Sequence, residues 1–311
     1  MIDHMGSYLA QRRALGFKLT TAESRLRDFC RWLDQRGGDG FTAAEAIEWA
    51  KAADVGASSH AARLSCVRPF AVYLAGLGLP VEVPDHKAFP AGITRATPFL
   101  YSQQDFDALM ASCPALFGRY PLTGATMPVF VGLLAVTGIR TGEALCLDEA
   151  DIDPAELTLT IRGGKFGKDR IVPVHQSTSN ALAAYLNSPV RRRYARPGPG
   201  ALFITMRGTR ARPAGIQARF RLMVEHAGIR RAESGARPRL HDFRHSLAVH
   251  TMIDAYRRGG DPARTLTVLS TWLGHTEPAN TYWYLEGAPE LLALSAERLE
   301  QHTPRPAGGA S

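Results

Sequence analysis

Three features of the 311-residue sequence predict a mainly α protein with one small antiparallel β-sheet. Apolar residues recur at helical spacing along most of the chain. One stretch, Leu157 to Val174, instead alternates apolar and polar residues on either side of a glycine turn, as a strand pair does. A proline-bearing break between Gly78 and Pro98 separates a helical N-terminal part from a mixed C-terminal part. The expected organisation is a helical domain at 1–85, a linker at 86–99, a larger α+β domain at 100–302 and a disordered Pro/Gly-rich tail at 303–311.

In the first part, Tyr8, Leu9 and Leu15 share a helical face that Gly16 ends. Leu26, Phe29, Cys30 and Leu33 mark a second helix, closed by the glycines at 37–40. Thr42 with Glu45 three residues on forms a capping box for a third. Ser58 or Ser59 is the expected cap of a fourth, through Leu64, Val67, Phe70 and Leu74, with Pro69 kinking it or marking its true start.

In the second part, Ser102 and Asp105 open a helix, and Phe130, Leu133, Leu134 and Val136 form another that stops at Thr137-Gly138. Arg140 follows directly, then Glu143, a carboxylate expected to orient its surroundings. Leu157, Leu159 and Ile161 predict a strand, and Ile171 to Val174 its partner, with Lys165 at the hairpin tip. Helices are expected at Asn180–Leu186, Ile216–His226, Asp242–Tyr256 and Ala263–Trp272, the last ended by Gly274. A final amphipathic helix, from Pro289, carries Leu291, Leu292, Leu294 and Leu299; packing against its own chain and docking on a neighbouring copy are equally compatible with that stripe.

A 45% apolar and 21% charged composition is that of a globular protein. The net charge of +8 favours a polyanionic partner. Thirteen arginines and no lysine lie between Arg191 and Arg239, opposed within that segment only by Glu225 and Glu233. Planar guanidinium forks suit phosphate, so the segment is expected to contact a nucleic-acid backbone. The four cysteines, Cys30, Cys66, Cys113 and Cys146, show no metal-ligand or disulfide spacing and read as buried thiols. No secretion signal or membrane span is visible, so a cytoplasmic location is expected.

Chemistry concentrates between Leu240 and Tyr284. His241-Asp242-Phe243-Arg244-His245 opens the stretch, Leu273-Gly274-His275 closes it, and Tyr284 follows nine residues later. Two imidazoles, a guanidinium and a phenol are phosphate-binding groups plus a potential nucleophile. Singly, each has an ordinary structural reading: a helix-end arginine, a surface His/Arg pair, a C-capping Gly-His, a core tyrosine. Their joint occurrence carries the functional one.

Taken with Thr137-Gly138-Ile139-Arg140-Thr141-Gly142-Glu143 and the Gly164–Pro173 hairpin, these boxes resemble, in order and separation, the tyrosine recombinase (phage integrase) family. By motif the resemblance spans about residues 98–300; the N-terminal helices resemble the family's DNA-binding core-binding domain by position and composition. The resemblance implies that Arg140, Lys165, His241, Arg244, His275 and Tyr284 are catalytic. Tyr284 is then the nucleophile, Lys165 the general acid and His241 an aid to the tyrosine. It implies duplex DNA as substrate, a homo- or hetero-tetramer on that DNA, and no cofactor or metal. The Arg-Arg-Ala-Leu-Gly-Phe and Leu-Ser-Thr-Trp-Leu-Gly-His phrases look like recombinases of mobile elements, which integrate, excise or transpose DNA. The chain departs from the family at Asn280, where a threonine is common, and at Glu286, where a histidine is. Two other readings stay open: a type IB topoisomerase-like relaxing enzyme, and a catalytically silent DNA-binding accessory protein.

Overall fold

The computed structural model describes residues 1–17, 19–37, 39–54, 56–89, 97–163, 169–198, 200–232, 235–274 and 289–302. The described residues are mainly helical, with one three-stranded antiparallel sheet among them, and the chain divides into two compact units, Met1–Arg95 and Ala96–Ser311.

The first unit packs α1 (Ile2–Ala14), α2 (Thr20–Asp34), α3 (Ala43–Lys51) and α4 (Ala57–Gly76) around Phe29, Phe41, Trp49 and Phe70. The expected capping box at Thr42 and Glu45 is present, with each residue bonding the other's main-chain N–H. Three expectations need correction. Leu15 is exposed, because α1 ends at Ala14 and turns it away from the Met5–Tyr8–Leu9 face. The cap of α4 is Gly56, not Ser58 or Ser59, and the helix runs through Pro69 rather than starting there. Phe89 joins this first core.

In the second unit, α5 (Gln103–Phe117) starts in the Ser102–Asp105 capping box. The apolar α6 (Pro121–Thr137) stops where Gly138 adopts φ +62°. The short α7 (Thr141–Cys146) follows at once. The sheet is β1 (Ile152–Asp153), β2 (Thr158–Ile161) and β3 (Arg170–Pro173), in that order, with Leu159 opposite Val172 and Ile161 opposite Arg170. Leu157 is not part of β2: its φ of +54° lies outside the strand region, so the ladder begins one residue later.

After the sheet come α8 (Gln176–Asn187), α9 (Pro189–Tyr194), α10 (Pro213–His226), α11 (Asp242–Arg257) and α12 (Pro262–Leu273), then α13 (Pro289–His302). A large core centred on Phe130, Leu134, Phe203 and Phe243 joins α5, α6, the sheet and α10. A smaller one joins α11, α12 and α13 through Val249, Leu269, Leu273 and Leu291. The C-terminal helix therefore packs on its own chain, with Leu291 buried and Arg257 paired to Glu290. Of the cysteines, Cys30 and Cys113 are buried, but Cys66 is half-buried and Cys146, at the end of α7, is exposed. Among the described residues no helix is long and apolar enough to cross a membrane.

Candidate active site

Three of the six expected catalytic residues lie within the described structure, and they gather where α6, α7, α11 and α12 end or begin. Lys165, His275 and Tyr284 lie outside the described residues.

Arg244 projects from the first turn of α11 and is 1% exposed. Its Nη1 donates to the carbonyl of Gly138 at 2.8 Å, and its Nη2 to the carbonyl of Leu273. Those carbonyls close α6 and α12, whose aligned peptide dipoles end there with partial negative charge. A charge that would be costly to bury is thus met by two helix ends. Both helices stop at a glycine in the left-handed region, Gly138 and Gly274, which is why their last carbonyls are available. Trp272 fastens the pair by donating from Nε1 to the carbonyl of Thr137 at 2.8 Å.

Arg140 is the N-cap of α7. Its main-chain N–H donates to Glu143 Oε2 at 2.9 Å and its Nη1 to Oε1 at 2.8 Å, so one carboxylate sets both backbone and guanidinium. Glu143 has a second cationic partner. Arg170 on β3 donates from Nη1 to Oε1 at 3.1 Å and from Nη2 to Oε2 at 2.7 Å. Burial opposes ionisation of Glu143, but the bonds from Arg170 and Arg140 outweigh it and hold its pKa down at about 2. Sequence reasoning expected Glu143 to orient the site and missed Arg170. A signal was available: Arg170 precedes Val172 by two in a strand, and Val172 is an obvious inward residue.

His241 stands at the start of α11 and reaches the surface. Protein packed about its ring, then the positive charges of Arg244, Arg140 and Arg239, push its pKa down to about 4. The imidazole is therefore neutral near pH 7, with one nitrogen able to accept a proton. Between His241 and Arg244, Asp242 is fully buried and accepts from the main chain, Nε and Nη2 of Arg239. Ser246 Oγ accepts from the N–H of Tyr101 at 2.8 Å, and the Tyr101 ring stacks on Phe243. The opening segment of this unit is thereby clipped to the helix that carries Arg244.

The arginine segment needs correction. Arg191 is buried, bonded to Glu149 and to the carbonyls of Ala201 and Leu202. Arg210 pairs with Asp148 and bonds the carbonyls of Leu145 and Leu147, and Arg239 pairs with Asp242. The acids that oppose these three, Glu149, Asp148 and Asp242, lie outside the segment. Arg212, Arg221, Arg230, Arg231 and Arg237 are exposed. Among the described residues no three His, Cys, Asp or Glu side chains come together as a metal-binding group.

The profile of the phage integrase family matches residues 101–290. A putative integrase/recombinase, y4rB, of Sinorhizobium fredii is 39% identical over 94% of this chain and 95% of its own length. The chain belongs to the phage integrase family. Among solved structures, the Tn1549 transposon integrase in complex with transposon right-end DNA has a TM-score of 0.63 at 15% identity, covering 96% of this chain and 99% of that one. The XerH site-specific recombinase bound to palindromic difH has a TM-score of 0.58 at 18% identity, covering 84% of this chain and 73% of that one. Both likenesses are of fold. As a phage integrase family member the chain is a DNA recombinase, and Arg140 and Arg244 lie in the segment the family profile matches.

Proposed function

We propose that this recombinase cuts and rejoins duplex DNA at specific sites through a 3′-phosphotyrosyl intermediate, with Arg140, Lys165, His241, Arg244, His275 and Tyr284 as its catalytic groups. The observation that carries the reading is the convergence of Arg140, His241 and Arg244, with both guanidiniums pre-aligned by carbonyls or a carboxylate. A phosphodiester repels nucleophiles because its non-bridging oxygens are negative, and that charge grows as phosphorus becomes five-coordinate. Donors fixed in advance stabilise it without reorganising, each worth about 3 kcal/mol in comparable sites.

In the proposed step the Tyr284 oxygen forms a bond to phosphorus as the bond from phosphorus to the 5′-oxygen breaks. The phenolic proton passes to neutral His241, and Lys165 gives a proton to the departing 5′-oxygen. Bound phosphate offsets the three arginines around His241, raising the ring's proton affinity when a proton must be taken. His275 adds a hydrogen bond to the phosphate. Attack by a 5′-hydroxyl from another strand reverses the step and reseals the DNA. Two guanidiniums supply the positive charge, and the proposal includes no metal or cofactor. The protein works on duplex DNA as a tetramer, and the helical first unit serves as its second DNA-binding surface. The similarity to a putative integrase/recombinase of Sinorhizobium fredii supports integration or transposition as its setting.

A duplex nicked next to the scissile phosphate traps the covalent adduct, because the short fragment that carries the released 5′-hydroxyl diffuses away. The wild-type chain is expected to form it and Tyr284→Phe to form none; trapping by Tyr284→Phe refutes the assignment of the nucleophile. Relaxation of any supercoiled plasmid, without a second specific site, would favour the topoisomerase reading.

A further inference from the structure

The Arg140 carboxylate partner, Glu143, is itself held by a residue for which the proposed chemistry has no use. Arg170 stands at the start of β3, directly beyond the hairpin loop, with its side chain largely covered. Both of its Nη nitrogens bond Glu143, one to each carboxylate oxygen. Its Nε is buried and bonds nothing among the described residues, so the fork's described hydrogen bonds all go to that carboxylate. The other side of the same guanidinium lies against Gly274: a Cβ there would sit 3.2 Å from Arg170 Nε, Cζ and Cδ. One side chain therefore touches the α7 box through Glu143 and the end of the α12 box, and borders the hairpin.

We propose that Arg170 is a positioning residue for Arg140, acting through Glu143. The inference rests on the strand-transfer reading above. A buried carboxylate with Arg140 as its single cation would draw that guanidinium inward and compete with phosphate for its donors. A second guanidinium shares the carboxylate, fixes its plane and leaves the trio with a net positive charge. Only a planar fork bonds both oxygens at once, so lysine does not replace it.

The test uses the full chain and the nicked duplex, with adduct formation measured at saturating DNA beside DNA affinity and the thermal midpoint. Arg170→Met is expected to slow adduct formation by about 10²-fold, the scale of a small misplacement of a catalytic group, with DNA affinity nearly unchanged. Arg170→Lys recovers only part of the rate. The groups facing Glu143 are Arg140 from α7, Arg170 from β3 and His241 at the start of α11. Without Arg170, Glu143 takes up a proton more readily, so the variant's rate falls at a higher pH than wild type's, where protonation of His241 sets the fall. Adding Glu143→Gln to Arg170→Met removes that new pH dependence. A folded Arg170→Met that cleaves at the wild-type rate, or one slowed only in proportion to its unfolded fraction, overturns the inference and leaves the strand-transfer reading standing. Failure of the wild-type chain to form any adduct overturns both.

Discussion

Nη1 of Arg244 lies 2.8 Å from the carbonyl oxygen of Gly138, a residue 106 positions earlier in the chain. With the bond to Leu273, it ties α11 to the ends of α6 and α12. A lysine at 244 cannot reach both carbonyls in one plane. Arg244→Lys is expected to slow covalent trapping on the nicked duplex by about 10²–10³-fold. Leaving a buried carbonyl without its donor also lowers stability by about 1–3 kcal/mol, read from denaturant unfolding. A variant with near-wild-type cleavage would contradict the role assigned to this fork.

Gly138 has a second duty. Its φ is +62°, and an added Cβ would lie 2.8 Å from Leu247 Cδ2 and 2.9 Å from Leu273 Cδ2. Gly138→Ala therefore combines a left-handed alanine, costing about 1 kcal/mol, with overpacking of about 1–3 kcal/mol. The thermal midpoint is expected to fall by several degrees, at about 2–4 °C per kcal/mol for a unit of this size. An unchanged midpoint would mean that α6 ends differently.

His241 gives a pH dependence of known sign. Its folded pKa is about 4, below the ordinary value of about 6.5 for an unfolded chain. As pH falls from 6.5 towards 4 the unfolded chain takes up the proton first, so this contribution to stability is lost across that window. His241→Gln should remove that component of the stability–pH curve. NMR titration of the DNA-free protein should show this ring neutral down to about pH 4; an apparent pKa of 6 or above would rule out the arginine-flanked environment.

The arginine segment separates into two experimental classes. Arg191→Met is expected to lower stability and leave the salt dependence of DNA binding unaltered, since that guanidinium is buried against Glu149 and two carbonyls. Exposed Arg221 and Arg231 should behave the other way: each alanine variant reduces the slope of log affinity against log salt by about 1 if its side chain meets a phosphate. Binding titrations at several salt concentrations distinguish the two. An Arg191 variant that changes the slope would return that residue to the DNA-facing set.

Strand cleavage is expected to proceed at an undiminished rate in excess chelator if, as proposed, arginines supply the positive charge at the phosphate. Loss of cleavage on chelation, restored by a divalent cation, would overturn that part of the proposal.

Much of this architecture was legible because local chemistry and long-range packing agree. Thr42 with Glu45 and Ser102 with Asp105 are capping boxes in sequence and in structure, and Gly138 and Gly274 end helices because each is glycine where a left-handed residue is needed. What could not be read depends on partners far away in the chain. The two residues of β1 are too few to show a period. Arg191 and Arg210 look like a solvated basic run until Glu149 and Asp148 are brought beside them. Arg170 looks like a hairpin residue until Glu143 meets it. The family resemblance pointed to Arg140, His241 and Arg244, but not to the two helix ends that hold one of them.

Those helix ends make the proposed reaction centre resistant to drift. Amino-acid replacement rewrites side chains and leaves peptide carbonyls in place, so the acceptors that aim Arg244 cannot be deleted by a point change. They can be lost only if α6 or α12 stops at a different residue. The outward arginines carry no such constraint: each can be exchanged without touching a helix end, whereas the acceptors of Arg244 persist with the backbone.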